Sequence, residues 1–285
     1  MPFWGHEPWQ GSLYARDSRP SEFLRQYARV FDAVEGNTTF YAVPSPRTVE
    51  RWRREAPADF RFCFKLPRAI THEARLHDAV DEAERFIDRL GPLHDRLGPL
   101  MIQLPPDFGP DALPRLEEFL GGLPGGLRYA VELRDRALAQ DGIPAQMADE
   151  LLELAGAGRV VMDTRPLRDG PGDHPDILAA RHKKPDLPVR EAALSEDPIV
   201  RIVFHPEPAV NDRWLDRWAG ILAGWLREGL SPFVFVHSPS NRESPEIARD
   251  LRRRIDRLVS VGPMPDWPDW PGEAGESATG QLALL

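Results

Sequence analysis

Residues 60–72 read FRFCFKLPRAITH, and the first six alternate strictly. Phe60, Phe62 and Phe64 face one way, and Arg61, Cys63 and Lys65 face the other. A period of two with aromatics on one face predicts a β-strand. Leu66-Pro67-Arg68 ends it, because proline brings no N–H to a ladder. Lys65 therefore stands at the carboxyl end of a strand, and Thr71 and His72 follow on a loop. That edge is where α/β folds place ligands and chemistry.

Seven further segments read as strands: Pro2–Trp4, Ala33–Glu35, Leu100–Leu104, Arg128–Leu133, Arg159–Met162, Ile199–Phe204 and Pro232–His237. Helical periods lie between them, over Ser21–Phe31, Arg47–Arg54, Asp78–Leu97, Asp111–Leu120, Pro144–Ala155, Arg213–Leu226 and Ser244–Leu258. Thr164–Pro198 is proline-rich, without a clean period, and reads as a functional loop or lid. Strand and helix alternate with no break in composition. The expected fold is α/β, a single TIM-type (β/α)8 barrel over residues 1–260. Residues 261–285 are acidic, rich in proline and small residues, and read as a disordered tail.

Composition sets the bounds. The 285 residues are 41% hydrophobic, enough for one large core. A net charge of −9 argues for solubility and against coating nucleic acid by bulk charge. Cys63 is the sole cysteine, so no internal disulfide forms and a reducing, cytoplasmic setting follows. No signal peptide and no membrane-spanning run is read.

The strand ends gather polar groups at one face: Glu35 and Asn37, Lys65 and His72, Gln103, Glu132 and Arg134, Asp163, Arg201 and His205, and His237 with Asn241. Glu35, Glu132 and Asp163 are candidate acids or bases. Lys65, Arg134 and Arg201 suit a phosphate or carboxylate. His72, His205 and His237 could join the carboxylates around a divalent metal, although no H-x-H spacing is present. Lys65 could form a Schiff base from an apolar pocket. No dinucleotide fingerprint or phosphate loop exists. Trp214, Trp218 and Trp225 recur at helical spacing and read as packing.

Several long motifs appear in order: VEGNTTFYAVP (34–44), RFCFKLPRAITHEARL (61–76), LGPLMIQLPPDF (97–108), YAVELR (129–134), VVMDTRPL (160–167) and FVHSPSNRESPEIAR (235–249). They resemble the DUF72, or YecE-like, family over about residues 1–258. The resemblance implies a TIM-type barrel and supplies no established reaction. Its matching polar positions are Glu35, Asn37, Lys65, Thr71, His72, Gln103, Glu132, Arg134, Asp163, Arg201 and His237. Where many members carry an aromatic soon after the Glu-x-Arg, this chain has Arg136-Ala137-Leu138.

The expectation is an enzyme on a phosphate-containing or otherwise anionic substrate, a small ligand or nucleic acid, with a hydrolase as the analogy from fold. Its catalytic candidates are Glu35, Lys65, His72, Glu132 and Asp163. Asn37, Tyr41, Thr71, Gln103, Arg134, Arg201, His205, His237 and Asn241 would bind substrate. The other expectation is a non-catalytic adaptor. Gln281, Leu282, Leu284 and Leu285 resemble the peptide by which bacterial DNA proteins dock on the sliding clamp.

Overall fold

The alternating run at Phe60 folds as its pattern requires. In this computed structural model, which describes residue 1 and residues 3–263, Phe60, Phe62 and Phe64 are all buried. The Phe62 and Phe64 rings stack 5.3 Å apart and nearly parallel. Trp52, from the helix Pro46–Glu55, lies 5.3 Å from Phe64. Cys63 and Lys65 take the opposite face, and both are buried too.

The described residues form eight strands: β1 (Ala33–Gly36), β2 (Arg61–Phe64), β3 (Leu100–Gln103), β4 (Tyr129–Glu132), β5 (Gly158–Arg159), β6 (Val161–Asp163), β7 (Ile199–Val203) and β8 (Phe233–His237). All pair in parallel, in three sheets ordered β1-β2, β3-β4-β5 and β6-β7-β8. Single bridges from Phe62 to Leu97 and from Lys65 to Met101 tie β2 to the β3 segment.

Two strands differ from expectation. The sixth is split at Val160 into β5 and β6. The first was placed at Pro2–Trp4, and residue 2 lies outside the described residues. Phe3 and Trp4 form no strand, although Glu35 N–H donates to Met1 O at 3.1 Å.

One apolar cluster draws on strands of all three sheets. Cys63, Met101, Ala130, Val160, Ile199 and Phe235 pack together, with Ala33 against them. Two residues further along, the same face of each strand reaches Glu35, Lys65, Gln103, Glu132, Met162, Arg201 and His237. The strands thus stack a polar layer directly on an apolar one.

The helices flank the strands with shifted bounds. The helix expected over Asp78–Leu97 ends at Arg89, and a 3₁₀ segment Gly91–Arg96 with Pro92 early in it replaces the rest. Ser21–Phe31 shortens to a helix over Phe23–Tyr27. The helix expected from Arg213 starts earlier, spanning Pro208–Arg227. Thr164–Pro198 is not wholly irregular, because it holds helices Arg165–Asp169 and Pro175–Lys183. Ala69–Glu73 is a single π-helical turn, so Thr71 and His72 sit on a turn and not on an open loop. Trp218 and Trp225 are buried packing residues as expected. No helix of the described residues is long and apolar enough to cross a membrane. Residues 264–285, and with them Gln281, Leu282, Leu284 and Leu285, lie outside the described residues.

Candidate functional site

The polar layer is a charge network centred on Arg201, which β7 delivers to the interior at 2% exposure. Its guanidinium makes a fork to Glu35, with Nε donating to Oε2 at 2.8 Å and Nη2 to Oε1 at 2.7 Å. Nη1 donates to Glu132 Oε2 at 2.5 Å. The other Glu132 oxygen accepts from Arg134 Nε at 2.5 Å. Gln103 Oε1 accepts from both Lys65 Nζ, at 2.7 Å, and Arg134 Nη2, at 3.1 Å. Lys65 Nζ also lies 3.6 Å from Glu35 Oε1, and His237 Nε2 donates to Glu35 Oε2 at 3.2 Å.

Burial would raise both carboxyls, but their neighbours overturn that. Arg201, His237 and Lys65 hold Glu35 well below the usual carboxylate range. Arg134, Arg201 and Lys65 do the same for Glu132. Burial pushes His237 down to about 3 against the pull of Glu35, so the ring is neutral. Burial, helped by Arg201, pushes Lys65 down to about 7, with Glu35 and Glu132 opposing. Lys65 is therefore the group of the layer that changes charge near neutral pH.

Above the network opens a cleft of about 930 Å³. Among the described residues six cationic side chains line it, Arg51, Lys65, Arg134, Lys183, Lys184 and Arg201, and no Asp or Glu does. Glu35 and Glu132 lie beneath and are held by Arg201. Lys183 and Lys184 have no acidic partner at ion-pair distance among the described residues. Burial and Arg201 push Lys184 down to about 8, against Glu35 and Glu132. Apolar and aromatic side chains also line it: Phe3, Trp4, Phe40, Tyr41, Val43 and Trp52.

The sequence candidates fall into three groups. Glu35, Lys65, Gln103, Glu132, Arg134, Arg201 and His237 come together in the network. Asn37, Tyr41 and Asn241 line the cleft beside it. Asp163 and His205 are not brought in, while His72 and Thr71 lie beside the network, His72 near enough to feel Arg134, Lys65 and Glu132 but without a hydrogen bond to them. Asp163 follows Met162, so its side chain has the outward parity. It accepts from Arg165 N at 2.9 Å, from Arg165 Nη2 at 2.8 Å and from Trp218 Nε1 at 2.8 Å. Met162 takes the inward place, its sulfur 3.7 Å from Arg201 Nη1. His205 Nδ1 accepts from Glu207 N–H at 3.1 Å, and its Nε2 donates to Pro171 O at 2.9 Å, so the ring anchors a loop. Thr71 is buried, with its hydroxyl 2.9 Å from His72 Nδ1, while His72 packs edge-on against Phe40.

A metal does not fit this donor set. Both Glu35 oxygens are engaged by one guanidinium. Among the described residues no group of three or more His, Cys, Asp or Glu could hold a metal ion.

Sequence reasoning missed Lys184, Trp4 and Phe40. Lys184 follows a helix with few apolar residues, so periodicity did not show it. Pro175 at its start and Arg181-His182-Lys183 in its last turn are end signals that would have.

Comparison with known proteins gives one consistent result. The family described as "Protein of unknown function DUF72" matches residues 1–269. The UPF0759 protein YecE of Escherichia coli K12 is 36% identical over 269 residues, covering 93% of this chain and 96% of that protein. UPF0759 protein YunF of Bacillus subtilis strain 168 is 31% identical over 77 residues, 27% of each chain. The crystal structure of a DUF72 family protein from Thermotoga maritima superposes with a TM-score of 0.69 at 22% identity, covering 90% of this chain and 97% of that one. One from Enterococcus faecalis V583 gives a TM-score of 0.63 at 18% identity, over 85% and 95%.

Proposed function

The chain belongs to the DUF72 family, and from that premise we propose that it is an enzyme acting on a small anionic substrate, a phosphate or carboxylate, bound at the mouth of a (β/α)8 barrel. The observation that carries this reading is the cleft lining, which among the described residues has six cations and no carboxylate. Fixed guanidinium and ammonium donors around an open space are the usual geometry for oxyanions. Closure into one barrel is supported by the apolar cluster shared by strands of all three sheets. The buried lone Cys63 fits a reducing, cytoplasmic setting.

In this reading Arg134 and Lys184 hold the anion and Lys65, beside it, moves the proton. Its pKa near 7 lets it accept and return a proton at working pH. Glu35 and Glu132 are held ionised by their cations, so they position Arg201 and Lys65.

The test is turnover of a panel of phosphorylated and carboxylated metabolites. Turnover of any one should fall by at least about 100-fold in Lys65→Met, with circular dichroism unchanged. Equal turnover in Lys65→Met would overturn the catalytic part.

A second reading rests on sequence alone: Gln281, Leu282, Leu284 and Leu285 as a sliding-clamp peptide. The family match stops at residue 269, before this motif. Retention of the intact chain on immobilised clamp, lost on Gln281→Ala with Leu284→Ala, is the result this reading requires. Equal retention of both forms, or of neither, rejects it.

A further inference from the structure

The anion reading leaves half of the cleft unexplained. About 930 Å³ far exceeds what a phosphate or a small carboxylate needs, and it falls in the range of sites for drug-sized ligands. The unexplained half is aromatic. Tyr41 is 80% exposed and Val43 48% exposed, large apolar groups left in solvent at the rim. The Tyr41 ring meets Phe40 only edge-on, at 5.1 Å and 89°. Trp4 continues the wall and is itself fixed edge-on against Trp52 at 5.4 Å. The short helix Thr38–Tyr41 holds Phe40 and Tyr41 in place. Its Thr39 hydroxyl donates to Lys65 O at 2.7 Å, tying the aromatic wall to the strand that carries the floor lysine.

Building on the anion reading, we infer that the ligand is a phosphate joined to a planar aromatic ring system, of the size of a nucleoside monophosphate. The phosphate lies against Lys184, Lys65 and Arg134, and the ring lies against Tyr41 and Trp4. Ring faces attract planar π systems without demanding a particular base, and the cations lining the same cleft fix the phosphate. The two halves of the cleft then act on separate halves of one molecule. Lys184, which has no acidic partner at ion-pair distance among the described residues, supplies the phosphate contact.

Calorimetric titration separates the halves with three probes: AMP, ribose 5-phosphate and adenosine. AMP is expected to bind at least about tenfold more tightly than ribose 5-phosphate. Tyr41→Ala, a surface change that spares the fold, should shrink that gap to about threefold or less and leave ribose 5-phosphate unaffected. Lys184→Ala should weaken AMP and ribose 5-phosphate by the same factor and leave adenosine unchanged. Equal affinities for AMP and ribose 5-phosphate in the wild type would overturn the ring contact while the anion reading stands. No binding of either phosphate compound would overturn both.

Discussion

Two layers of the same strands, two residues apart, have opposite chemistry. The lower layer, Cys63, Met101, Ala130, Val160, Ile199 and Phe235, is wholly apolar. The upper one packs Glu35, Lys65, Gln103, Glu132, Arg201 and His237 at nearly the same burial. The lower layer is held by contact and excluded water, so any apolar group of the right volume would serve. The upper layer is held by complementary charge, and removing one member leaves another buried and unpaired. A buried ion network stabilises a fold weakly compared with apolar packing, so its presence on a face that opens to a cleft points to function.

Breaking the upper layer should have the largest effect. Arg201→Met removes the shared partner of Glu35 and Glu132, and stability to urea should fall by about 3–5 kcal/mol. Adding Glu35→Gln and Glu132→Gln should recover much of that loss, since the two buried carboxylates are then neutral while Arg134 and Lys65 keep their bonds to Gln103. No recovery would mean that Arg201 acts by packing, as the lower layer does.

Met101→Ala in the lower layer should cost about 2–4 kcal/mol through the cavity it leaves, with no pH dependence. A loss that varied with pH would blur the distinction between the layers.

Lys65 should make stability pH-dependent. Its folded pKa is about 7 against 10.5 for the free group, so between these values the unfolded chain binds more protons. Stability contributed by this group therefore rises from about pH 7 to pH 10.5. Lys65→Met should flatten that rise in urea midpoints. Lys184, lowered to about 8, should contribute a smaller rise of the same sign from about pH 8 to pH 10.5, and Lys184→Ala should remove it.

The sequence reading went furthest where local pattern and burial agree. The alternation of Phe60–Lys65 showed the strand and put Lys65 at its carboxyl end, on the face opposite the phenylalanines, and Glu35, Gln103, Glu132, Arg201 and His237 followed from strand-end position. Asp163 shows where that rule fails. It is the last residue of its strand, but side chains alternate, and parity with Val160 places Met162 inside. Counting two residues on from each apolar interior position would have selected the right set. His205 shares the parity of Arg201 but lies beyond β7, where the chain has turned away and its ring holds a loop. Lys184, Trp4 and Phe40 were hidden for another reason. They come from connections whose position depends on tertiary packing, and no local period marks them.

The central claim is that the cations lining the cleft above the paired upper layer, Arg134 and Lys184 among them, hold an anion. Sulfate, whose charge is constant above about pH 3, tests it most directly by isothermal titration at low ionic strength. The account predicts one sulfate per chain, bound more weakly as pH rises through about 7 and 8, where Lys65 and Lys184 lose their protons. Lys184→Ala should weaken binding by about tenfold. Absence of binding, or binding indifferent to both pH and Lys184→Ala, would contradict the account.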